Sequence, residues 1–159
     1  MPQSSGRATE REAFYATPLR IYLTEAHFSE PSLPDEEPGA WSDATEFEMW
    51  IGLYRHSLRR LSVAVNLDSK ANAPAEFSVS YAGDFVLDEQ CPEEQIDNAW
   101  QSLAFDVAPK LVYPYIREEV SRLTAHSRVG MLVLPVLPLP VTRPRDFRIP
   151  PAPESTGTK

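Results

Sequence analysis

The chain has 159 residues, with 23 acidic against 15 basic side chains and a net charge of −8. That balance argues against general affinity for nucleic acid or anionic lipid, because both depend on neutralising phosphate, and no apolar run reaches the length that crosses a bilayer. A single cysteine, Cys91, excludes a disulfide framework and a thiolate metal cluster, and it fits a reducing cytoplasm.

The organisation expected is a polar, disordered tail over residues 1–16, one folded domain over 17–142 and a proline-rich, flexible tail over 143–159. The amino terminus MPQSSGRATEREAF lacks the apolar centre of a secretory signal, so the protein is expected to stay where it is made. Order begins near Leu19, where Leu19, Ile21 and Leu23 alternate with Arg20, Tyr22 and Thr24 as a strand does. Ser29–Ala44, with three prolines and a glycine, suits a long surface crossing that carries one large apolar anchor, Trp41.

A second strand has Phe47, Met49, Ile51 and Leu53 on one face, opposite Glu46, Glu48, Trp50 and Tyr54, with residues 55–60 as the turn. The third strand alternates most cleanly, through Leu61, Val63, Val65 and Leu67. A fourth sets Phe77, Val79 and Tyr81 against Ser78, Ser80 and Ala82, and a bulge or bend is predicted at Gly83. Links of hairpin length make this an antiparallel sheet. Pro92, Glu93 and Glu94 then start a helix whose apolar stripe is Ile96, Ala99, Trp100, Leu103, Ala104 and Val107. Pro109 is expected to end or kink it, and Pro114 to bend a second helix with Val112, Ile116, Val120 and Leu123 on one side. From Met131 to Val141 an apolar run interrupted by prolines cannot be helical and is expected to form an extended strap that covers a groove or forms part of one.

The segment PKLVYPYIREEVSRL, through Pro109, Tyr113, Pro114, Tyr115, Arg117 and Glu118, resembles the signature of the SecB family of protein-export chaperones, which includes SecB-like chaperones that protect antitoxins. RIY at Arg20–Tyr22, Phe28 with PSLP at Pro31–Pro34, Trp41 and YAGDF at Tyr81–Phe85 extend the likeness over residues 19–141. The resemblance implies an α+β fold: a four-stranded antiparallel sheet with helices on one face, assembled as a homotetramer, a dimer of dimers. It also implies an ATP-independent holding chaperone for unfolded preproteins in export, or for an antitoxin, with no cofactor. Client-binding residues would be Trp41, Phe47, Met49 and Ile51, and Glu25 would stand at a SecA-docking position. Ser29 and Ser78 stand where carboxylates of that dock belong, and the prolines after residue 134 replace the C-terminal lid helix of export-type members. Trp100, Tyr113 and Tyr115 are candidates for the oligomer interface.

Other chemistry finds little footing. His27, His56 and His126 lack the paired spacing of a zinc site, so no metal is expected. Cys91 has no histidine base in its neighbourhood of sequence, and the carboxylates at Glu93–Glu94 and Glu118–Glu119 are explained as helix charges. No enzyme is expected. A non-catalytic scaffold or adaptor is the alternative from another class, and PVLPLPVTRP also fits a polyproline ligand.

Overall fold

A computed structural model describes residues 16–30, 39–136 and 138–154. Of the tail expected over residues 1–16, all but Ala16, which begins the first strand, lies outside the described residues, as does the PSLP stretch. Five strands form one sheet: β1 (Ala16–Ser29), β2 (Phe47–Ser57), β3 (Arg60–Ser69), β4 (Glu76–Leu87) and β5 (Val141–Thr142), in spatial order β1-β4-β3-β2-β5. The first four are antiparallel, as the hairpin-length links imply, and β5 adds a short parallel bridge to the outer edge of β2.

Register places the apolar positions in rows across one face. Met49 is opposite Leu67, which is opposite Val79; Ile51, Val65, Tyr81 and Leu23 make the next row. Leu61, Val63, Val65 and Leu67 are fully buried because β3 lies at the centre of the sheet with a helix above it. For the bulge or bend predicted at Gly83, β4 shows no register shift there against β3 and runs as one strand from Glu76 to Leu87. The irregularities fall on its partner, between Pro18 and Arg20 and between Leu23 and Glu25. Glycine is required at 83 for another reason: a Cβ there would stand 2.7 Å from the Phe85 ring, which folds over it.

The helices form one unbroken run on the apolar face. A 3-10 turn (Glu93–Gln95) leads into α1 (Ile96–Ser102), a π-turn (Leu103–Val107) and α2 (Ala108–Thr124). Pro109 therefore neither ends nor separates the helices. An α-helical Pro109 would clash with the carbonyl four residues back and could not bond it. One wider turn resolves this, with the Ala108 N–H bonding to the Leu103 carbonyl. Pro114 is tolerated on the exposed side of α2, where water can reach the acceptor it leaves without a donor. Ile96, Trp100, Leu103, Ala108, Val112, Ile116 and Val120 pack onto the sheet to complete the core.

After α2 the chain reverses at Gly130, whose φ of +83° only glycine adopts without strain. It returns along the helix with its carbonyls fastened to side chains of α2. Ser121 Oγ donates to the Leu132 carbonyl at 3.1 Å, Arg117 Nε to Leu134 at 2.8 Å and Tyr113 OH to Pro135 at 2.7 Å. Thr124 Oγ1 accepts from the Leu132 N–H and donates to Val120, both at 2.8 Å. Burial pushes the Tyr113 phenol above its ordinary pKa, so it stays a donor through neutral pH. The strap is thus an extended segment held by its acceptors, the bonding group that proline retains.

Candidate functional site

The helix-covered face emerges from cover at the end of the sheet beyond α2. Phe47, Ser69 and Phe77 lie side by side across β2, β3 and β4, and Phe28 continues the row on β1. The Phe47 and Phe77 ring centroids are 5.7 Å apart. Trp41 lies against both, at 6.3 and 6.0 Å, with its Nε1 donating to the Gly130 carbonyl at 2.9 Å. The crossing loop is thereby anchored to the turn after α2. Trp41, Phe47 and Ile51 are half-buried, which leaves part of each ring or chain at the surface.

Met49 differs from these three. It is 1% exposed, enclosed between Leu67 and Val141 of β5, and supports the surface from beneath. A client could reach it only after the cover moved. Phe77, also 1% exposed, completes the aromatic cluster from beneath and belongs to the core, as its strand alternation implies.

Of the three aromatic residues expected between subunits, Trp100 is 0% and Tyr113 1% exposed within one chain. The Trp100 indole donates to the Leu58 carbonyl at 3.2 Å, and Tyr113 is engaged by the strap. Rings already enclosed by their own chain offer no area to a partner. Tyr115 does: it is 45% exposed, with its ring 5.8 Å from Tyr81, and Leu23 beside Tyr81 is also 45% exposed.

The opposite face of the sheet carries no helix among the described residues, and its polar side chains share it with exposed Trp50 and Tyr54. Glu25 lies exposed there on β1, in register with Ser80. Asp84, 2% exposed, is the hub of this face. It accepts from Arg20 Nε at 2.5 Å, Ser62 Oγ at 2.5 Å and Tyr22 OH at 3.2 Å. His56 Nε2 lies 2.6 Å from Ser62 Oγ; with that hydroxyl donating to Asp84, the imidazole is the donor. Burial alone would push the Asp84 carboxyl up. Bonds from Ser62, Arg20 and Tyr22, with the guanidinium charge, outweigh it and hold the group below its ordinary value.

A depressed carboxyl contributes stability above its unfolded pKa, and that contribution disappears as pH falls through the native value. Asp84→Asn should therefore cost about 1–3 kcal/mol at pH 7. It should also reduce the loss of stability between about pH 5 and 2. Urea midpoints measured down that range check both.

Among the described residues no group of three or more His, Cys, Asp or Glu is placed to hold a metal ion, and no helix is long and apolar enough to cross a membrane. Cys91 is buried, with Sγ 3.7 Å from the Pro92 carbonyl.

No protein-family model matches the chain, and no curated protein matches it by sequence. Among solved structures it is similar to a SecB-like chaperone of Mycobacterium tuberculosis in complex with a ChAD peptide from the HigA1 antitoxin. The TM-score is 0.59 at 19% identity, covering 77% of this chain and 88% of that one. A protein of unknown function from Streptococcus agalactiae also matches, at TM-score 0.38 and 18% identity over 76% and 96% of the two chains. The first likeness is one of fold: the chain has the SecB-like α+β architecture, with the parallel strand β5 added to the four antiparallel strands.

Proposed function

We propose that the chain is an ATP-independent holding chaperone, without catalytic activity, that keeps an extended apolar segment of an antitoxin from aggregating. The observation that carries this reading is the aromatic cluster in which half-buried Trp41 and Phe47 pack against buried Phe77, set on a fold shared with a chaperone solved in complex with an antitoxin peptide. Client-binding residues are Trp41, Phe47 and Ile51 at the surface, with Met49 beneath them. Burial of apolar area at roughly 25 cal/mol per Å² drives association, and the entropy lost by the client demands an extended contact rather than a single pocket. The proline-rich strap in place of a lid helix supports the antitoxin reading over general export.

Cytoplasmic location and assembly as a homotetramer accompany this proposal, with Tyr115 and Leu23 supplying apolar area between subunits. An export role with unfolded preproteins would add docking to SecA through Glu25. That reading has thinner support, since Ser78 stands nearby and Asp84 is already engaged by Arg20. Binding of purified SecA that is lost in Glu25→Lys would favour it.

The main test is Ile51→Asp and Phe47→Asp, both at half-buried positions where a carboxylate can reach water. Each should weaken binding of an antitoxin peptide by at least about tenfold, equivalent to roughly 1.4 kcal/mol. Suppression of aggregation should fall in parallel while the far-ultraviolet dichroism is unchanged. Full holding activity in both folded variants would overturn the site.

A further inference from the structure

The outer edge of β2 is sheathed by the chain's own C-terminal segment. β5 sets Val141 beside Met49 and Thr142 beside Trp50, and Leu139, Val141 and Ile149 are half-buried against the core. The guanidinium of Arg143 lies 4.6 Å from the centre of the Phe105 ring and 5.9 Å from that of Phe147. An open surface pocket of about 350 Å³ runs between Phe105, Pro109 and Lys110 on the helical side and Pro138–Val141 on the strap side, so the strap's helical flank is only partly covered.

The occupant has the chemistry of a holding chaperone's ligand. It is extended, carries apolar side chains at alternate positions and ends on a cation, in a chain whose net charge of −8 favours cationic partners. It is also a poor strand, with no N–H at Pro138, Pro140 or Pro144 and only a two-residue parallel bridge. An external segment with those donors restored can pair further along β2, adding a strand to the sheet edge.

We propose that the cleft between β2 and residues 103–110 is a peptide-docking site and that residues 138–143 are its displaceable resident. Its partner is an extended segment with alternate apolar residues followed by an arginine or lysine. The inference rests on the holding-chaperone reading and specifies how its client enters: Met49, closed in the resting chain, becomes available when β5 leaves.

The experiment locks the strap in the full chain. Trp50→Cys with Thr142→Cys, in a Cys91→Ala background, places two thiols at paired positions of β2 and β5. The probe is a fluorescein-labelled copy of residues 135–146 with Pro138 and Pro140 replaced by threonine. Reduced protein should bind it at least about tenfold more tightly than oxidised protein, as a closed site requires. A probe with glutamate at the position of Arg143 should bind about threefold more weakly, reflecting the lost contact with Phe105.

Equal affinity of the oxidised and reduced forms, or no binding to the reduced form, would overturn the proposal. Suppression of aggregation by the wild-type chain is measured in parallel. If holding survives while the probe ignores the lock, the cleft fails and the chaperone reading stands. If the probe obeys the lock but no unfolded client is held, the cleft stands and the chaperone reading fails.

Discussion

Trp100→Ala is expected to lower the free energy of unfolding by about 3–5 kcal/mol, the range for deleting a large aromatic side chain from a closed core. The indole is 0% exposed, on the face of α1 that meets the sheet, and it brings two contributions that alanine lacks. One is apolar area, whose loss leaves a cavity that the rigid β3 and β4 strands cannot collapse to fill. The other is the Nε1 bond to the Leu58 carbonyl, which ties the helical run to the β2–β3 turn. Denaturant melts at several protein concentrations check the assignment. If Trp100 serves the core of a single chain, the loss is independent of concentration; an interface ring would give a loss that grows on dilution. The enclosed geometry predicts the first outcome.

What the sequence made legible follows from periodicity. Leu61, Val63, Val65 and Leu67 alternate without exception because both neighbours of β3 are strands and one face is fully covered, so strand, face and burial all follow from one pattern. Met49 sits in an equally clear alternation, yet its burial depends on Val141, ninety-two positions away, and no local pattern reports such a partner. A broad apolar helix face looks surplus to one sheet, which suggests subunit contacts for Trp100 and Tyr113; within one chain the turn at Leu58 and the strap enclose both rings. Gly83 was correctly singled out but for the wrong cause, since a glycine that makes room for a neighbouring ring looks the same in sequence as one that makes a bend. The π-turn was hidden because Pro109 permits either a break or a wider turn, and the apolar stripe continuing through Leu103 and Val112 decided for the latter. The Asp84 network was invisible, its four members coming from three strands.

Arg55→Met carries the second large expected effect and bears on the first. The Arg55 side chain is 4% exposed and replaces the apolar residue due at the end of the β2 alternation. Its Nη1 donates to the Pro150 carbonyl at 2.9 Å and to Asp97 at 3.1 Å, its Nη2 to Leu58 at 3.1 Å and its Nε to Ser57 at 3.3 Å. Asp97 is 71% exposed and regains water when the cation is removed, so the ion pair itself contributes little. The carbonyls matter more, because acceptors left without donors under the C-terminal segment lose their bonds without regaining full hydration. A methionine of similar length offsets part of this by filling the space, and the net loss should be about 2–3 kcal/mol. Since Leu58 accepts from both Arg55 and Trp100, the two substitutions share a partner and cannot be additive. The first to be made leaves the Leu58 carbonyl with one donor, and the second removes the last. The double variant should therefore lose about 0.5–2 kcal/mol more than the sum of the single losses, a coupling of the size found for residues in one hydrogen-bond network. Additive losses in the cycle would show that the β2–β3 turn does not depend on that carbonyl. The same Arg55→Met variant releases Pro150, so binding of the strap-derived probe should tighten even as the fold weakens. A loss of contacts in the core would by itself predict the opposite sign.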